Sequence, residues 1–133
     1  MLDTVAVADL VLDRLRMLPR IEVLDGEVKK TPAGAYVVFY DDAPRLSSRT
    51  LAGRANRAAW RLQTVCVGRD AAETRWVVGQ ILSTLTNWRP LQDRAASWIT
   101  PQSDGAPILR DDSVAGDIRF SQTLTFRLTT TRS

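Results

Sequence analysis

Between Asp117 and Thr130 the chain alternates with a period of two. The even positions are Ile118, Phe120, Gln122, Leu124, Phe126 and Leu128; the odd positions are Arg119, Ser121, Thr123, Thr125, Arg127 and Thr129. Only Gln122 breaks the pattern. Such a period predicts one long β-strand with a buried face and a wet face, and its β-branched and aromatic content agrees. Fully buried, its apolar side chains would contribute about 1.5–3 kcal/mol each. Something must cover that dry face, and the rest of the chain offers two helices.

The first helix is expected from a cap at Asp3 or Thr4 to about Leu18. Ala8, Val11, Leu12, Leu15 and Leu18 form one apolar stripe, and Pro19 ends the run. The second begins at Asp70-Ala71-Ala72-Glu73, where Asp70 is spaced to cap the helix and Glu73 to reach back. It is expected to run to about Trp88, with Thr74, Val77, Val78, Ile81, Leu82, Leu85 and Trp88 on its apolar face. Gly79 weakens it and leaves room for a close approach.

Between the helices, Ile21 to Leu24 is a short strand. Asp25-Gly26 is a turn, and Val28 restarts extended structure. Ala35 to Tyr40 is a continuous apolar run, the pattern of a strand covered on both faces or at a subunit contact. From Asp41 to about Arg57 periodicity vanishes, which predicts a long mobile loop at 41–57. Ala58 to Val67 returns to strand, with Trp60, Leu62, Thr64 and Cys66 on one face. Trp98-Ile99-Thr100 and Pro107-Ile108-Leu109 suggest two further short strands. The expected fold is one α+β domain over residues 1–133: a single mixed or antiparallel sheet with two amphipathic helices packed on one face. Whether the terminal strand runs parallel or antiparallel to the strand at Ala58 is left open.

The 133 residues suffice for one hydrophobic core. No apolar run is long enough to cross a membrane, and no basic segment precedes an apolar one at the N-terminus, so neither a membrane nor a signal peptide is expected. The chain has no histidine and one cysteine, Cys66. That pattern supplies no imidazole base, no zinc ligand set and no activated thiol, and no glycine-rich phosphate cradle is present. No catalytic, cofactor or metal site is expected. The acidic pairs Asp41-Asp42 and Asp111-Asp112 read as turn formers at strand ends.

The formal net charge is +3, and nearly all of the basic side is arginine. A GC-rich coding bias accounts for that, and so does bidentate binding of phosphate or carboxylate. Arg45, Arg49, Arg54, Arg57 and Arg61 crowd into the loop and the strand after it. Arg45, Arg49, Arg54 and Arg57, together with Trp98 in the irregular segment, are the candidate interface residues. Tryptophan and arginine are enriched where proteins bind one another.

Taken together, these features resemble the tail-terminator proteins of long-tailed bacteriophages, the minor tail protein U type, particularly from phages of high-GC actinobacteria. The resemblance rests on the opening amphipathic helix and the Ala35-Tyr36-Val37-Val38-Phe39-Tyr40-Asp41 strand. It continues through the Ser/Arg/Asn loop, the strand Trp60-Arg61-Leu62-Gln63-Thr64-Val65 and the capped helix. It closes with Arg110-Asp111-Asp112 and the strand from Gly116 to Leu128. It implies a virion protein, assembled in the host cytoplasm, that forms a ring, expected to be hexameric, and performs no reaction. Such a ring caps the head-proximal end of the tail tube and ends its polymerisation. Its partners are then further copies of itself, the tail tube protein and the head–tail connector, with genomic DNA passing through the lumen. A neck or head-completion protein is the alternative in the same biology. A small nucleic-acid-binding domain using the arginine loop is the alternative outside it.

Overall fold

Two long strands form the spine of the molecule. In the computed structural model, which describes residues 4–41, 45–46, 57–88, 99–101, 107–111 and 118–131, the helices and strands are numbered in chain order. Strand β4 (Arg57–Gly68) pairs antiparallel with β7 (Arg119–Thr131), from Arg57 opposite Thr131 to Gly68 opposite Phe120. This settles the direction of the terminal strand. The remaining strands are short: β1 (Glu22–Asp25), β2 (Tyr36–Asp41), β3 (Arg45–Leu46), β5 (Thr100–Pro101) and β6 (Leu109–Asp111). All seven join one mixed sheet in the order β1-β2-β4-β7-β5, with β3 also on β4 and β6 also on β7. Every pairing is antiparallel except β1 with β2.

The parallel β1–β2 pair corrects the simplest reading of Asp25-Gly26. That turn does not fold β1 onto its successor as a hairpin. Gly26 takes a left-handed φ of 77° and donates its N–H to the Phe39 carbonyl at 2.9 Å, so the chain leaves the sheet there. It returns as an irregular crossover and re-enters at Tyr36, beside Glu22. Val28 lies in this crossover, outside any strand, and is exposed.

Helix α1 (Thr4–Leu15) and helix α2 (Ala71–Leu85) cover one face of the sheet. Val11, Leu12 and Leu15 from α1 join Val77, Ile81 and Leu85 from α2. From the sheet come Val23, Val37, Phe39, Leu62, Cys66, Leu124, Phe126 and Leu128, all in one core. These strand residues share one parity in the register, which places both helices on the same side. Both predicted helical stripes are confirmed, and Ala8, Leu18, Val78, Leu82 and Trp88 pack at the margin of the core. The Arg14 guanidinium ties the helices together. Its Nε donates to the Thr84 carbonyl at 2.7 Å, and the group stacks 4.6 Å from the centre of the Trp88 ring.

Both helices stop about a turn earlier than their stripes suggest. After Leu15, α1 tightens: Met17 N–H bonds the Arg14 carbonyl and Leu18 N–H that of Leu15, so Leu18 keeps its place against the core without being helical. After Leu85, Asn87 turns left-handed with φ 59° and donates to the Ile99 carbonyl at 2.8 Å. A left-handed Asn is a common way to end a helix. The terminal strand is dry over less of its length than the alternation predicts. Leu124, Phe126 and Leu128 are buried, Phe120 is half-buried, and Ile118 precedes the strand and is exposed.

The far face of the sheet has a smaller apolar cluster of Tyr36, Val38 and Val67, with Leu24 and Val65 against it. This confirms that the apolar run in β2 is covered on both sides. Of the stretch expected as a long loop, residues 42–44 and 47–56 lie outside the described residues. Asp41 ends β2, Arg45 and Leu46 pair with Ala59 and Ala58, and Arg57 opens β4. Between Asp41↔Leu62 and Arg45↔Ala59 the chain advances four residues against three on β4.

Candidate interaction surfaces

The β4–β7 ladder has two ends, and each holds arginines. Twelve residue pairs separate them, a span of about 37 Å at about 3.4 Å per step. Helix α2 begins at the Gly68 end. Its C-terminus reaches the level of Arg127, because Asn87 bonds Ile99 and the adjacent Thr100 pairs with Arg127. The last four pairs, Arg57↔Thr131 to Trp60↔Leu128, run beyond that level, with β3 added along β4.

Of the predicted interface residues, the fold brings Arg45 and Arg57 to this end of the ladder. Arg45 is in β3 opposite Ala59, and Arg57 is two positions before Ala59 in β4. Arg49 and Arg54 belong to the connection between these strands and lie outside the described residues, as does Trp98. The neighbour of Trp98, Ile99, is fully buried at the foot of α2.

The opposite end carries a cleft that sequence reasoning missed. It measures about 490 Å³ and is lined by Arg20, Gly34, Ala35, Arg69, Glu73 and Trp76. Three segments build it: the turn after α1, the return of the crossover into β2, and the first two turns of α2. Asp70 caps α2 as predicted, accepting the Glu73 N–H at 2.7 Å. Glu73 reaches back as expected but one residue further, to the N–H of Arg69 at 2.9 Å. It also accepts from the Arg69 side chain, at 3.2 Å to Nε and 2.9 Å to Nη2. Those hydrogen bonds, aided by the field of Arg119, hold the Glu73 carboxyl below the usual range, and Glu73 raises the Arg69 guanidinium in return. Arg119 fixes the crossover from the other side, donating to the carbonyls of Pro32 at 3.0 Å and Gly34 at 3.2 Å.

Two features stand out at the mouth of this cleft. Trp76 is one position off the apolar stripe of α2 and remains 41% exposed. Arg20 is exposed with a left-handed φ of 66°. The available signal was Arg69 directly before the capping box, with Trp76 on the outer side of the stripe. Nothing in the chain order brings Arg20 or Gly34 to them; the parallel β1–β2 crossover does.

Cys66 is fully buried in the main core. Burial pushes its thiol up to about 12, against a smaller opposing pull from the Thr64 hydroxyl. A thiol so placed is not ionised near neutrality and is a poor nucleophile.

No protein-family profile matches the chain, and no curated protein matches it in sequence. Solved structures do match it in shape. A chain from the virion of a native gene transfer agent particle superposes with a TM-score of 0.54 and 15% identity, covering 98% of this chain and 87% of that one. A second solved chain, whose description states no function, gives a TM-score of 0.57 and 18% identity, covering 97% of this chain and 93% of that one. At these identities the likeness establishes the fold, which this chain shares over nearly its whole length with a chain of the gene transfer agent virion.

Proposed function

We propose that the protein is a structural virion component of a phage-like particle, and within it the tail terminator. Copies form a ring, expected to be hexameric, on the head-proximal end of the tail tube. The ring ends tube polymerisation and presents a surface to the head–tail connector, while genomic DNA passes through its lumen. The role is binding, with no reaction. The observation that carries this reading is the whole-chain likeness to a chain of the gene transfer agent virion. The sequence resemblance to tail terminators narrows it to one position in the particle.

The placement of two of the candidate arginines is compatible with that position. One end of the subunit's β4–β7 ladder carries Arg45 and Arg57. On this reading that end meets the neighbouring subunit or the tube. The purified protein, imaged by negative-stain electron microscopy alone and with tube protein, tests the proposal. Rings seated on one end of capped tubes are the expected result. Tubes that keep growing past the added protein would count against it. Rings that bind the connector and ignore the tube would move the assignment to a neck protein.

A further inference from the structure

The cleft at the Gly68 end of the ladder has the composition of a binding hot spot and no part in the function proposed above. Glu73 is engaged by Arg69. Among the described residues Arg20 has no ion-pair partner. Arg119, bonded to the Gly34 carbonyl of the lining, adds a third cation close by. The lining is thus two arginines against one carboxylate that is already hydrogen-bonded, and with the neighbours Arg119 and Asp70 counted three cations stand against two carboxylates. Beside the cations stands the exposed ring of Trp76. Tryptophan and arginine dominate the energetics of protein–protein contacts. A volume of about 490 Å³ admits a few side chains, as small-ligand pockets do, and is too small for a folded element.

We propose that this cleft docks a short acidic segment of a partner protein, a carboxylate meeting Arg20 and Arg69 while an apolar neighbour lies on Trp76. Charge complementarity selects the acid, and the tryptophan selects the apolar residue beside it. The cleft lies at the other end of the ladder from Arg45 and Arg57, so it offers a docking surface separate from theirs. Only the expectation that the partner is a virion protein rests on the proposed function; the docking chemistry does not.

The full-length chain, ¹⁵N-labelled at tryptophan, provides the test. The Trp76 indole N–H resonance is assigned with Trp76→Phe, then followed while a pentapeptide of four glutamates around one leucine is added. The same peptide with lysines for glutamates, and inorganic phosphate, serve as comparison probes. The expected result is a saturable shift of Trp76 with the acidic peptide alone, weakened by salt. Arg20→Glu should weaken it about tenfold or more, since a like charge then faces the ligand. Arg20 is exposed, so this variant should unfold at the same temperature as the parent protein. An unmoved Trp76 resonance, an equal response to the lysine peptide, or unchanged binding in Arg20→Glu would overturn the proposal. A full response to phosphate alone would also overturn it, making the cleft a simple anion site. Self-association abolished by Arg20→Glu in sedimentation would overturn it in favour of a second copy of this chain.

Discussion

Gly68 and Thr74 meet at the point where α2 is seated on the sheet. A Cβ on Gly68 would fall 2.6 Å from the Thr74 amide nitrogen and 2.7 Å from its Oγ1. The Thr74 hydroxyl is shared between the Asp70 carbonyl at 2.8 Å and the Phe120 carbonyl at 3.1 Å. One side chain therefore joins the first turn of α2 to β7, and the missing side chain of Gly68 lets that turn approach β4.

Gly68→Ala should destabilise the subunit by about 1–3 kcal/mol, because backbone on both sides must separate. Denaturant unfolding measures this. A loss within about 0.5 kcal/mol, the usual range for surface substitutions, would show that the helix start can shift freely.

Gly79→Ala should act in the opposite direction. A Cβ there meets nothing within 4 Å, so the close approach the sequence suggested for Gly79 is not used. Alanine should add about 0.5–1 kcal/mol in mid-helix. The same unfolding assay reads it, and a loss of stability would mean that another chain lies against this face.

Cys66 predicts a pH dependence. Its folded pKa of about 12 lies above the ordinary thiol value. The unfolded chain therefore releases this proton first as pH rises, and stability falls with pH across that window. Below the ordinary thiol pKa the contribution is fully present; it is lost as pH climbs towards about 12. The high-pH loss should be smaller in Cys66→Ala than in the parent protein. At neutral pH a thiol reagent should label Cys66 only as fast as the protein opens, and immediate labelling in the native state would contradict its burial.

On the proposal that Arg45, Arg49, Arg54 and Arg57 serve an interface, changing them to Glu should leave folding intact, because charges outside a core contribute little to stability. It should impair docking if these residues face an acidic partner. Thermal unfolding together with a tail-assembly assay separates the two effects. Normal tails from the mutant would remove this stretch from the interface. Failure to fold would place it in the structural framework of β3 and β4.

Much of the fold was legible because its largest contributors are periodic. The stripes of Val11-Leu12-Leu15 and Val77-Ile81-Leu85, and the alternation through Leu124, Phe126 and Leu128, carry the core. What was not legible depends on tertiary pairing. Asp25-Gly26 carries the same local signal whether the next strand pairs parallel or antiparallel, so the crossover was invisible. Arg45 and Leu46 form a strand only because Ala58 and Ala59 lie beside them. The Trp76 cleft went unseen for a related reason, since Arg20, Gly34 and Arg69 are far apart in sequence and meet only through that crossover.

The most direct test of the account is the tail itself in particles made without this protein. Electron microscopy of tails from a host carrying a deletion of its gene measures length and attachment to heads. The account predicts tails of irregular, often excessive length that carry no heads, restored to uniform joined tails when the gene is supplied in trans. Tails of normal length joined to full heads in the deletion would contradict it.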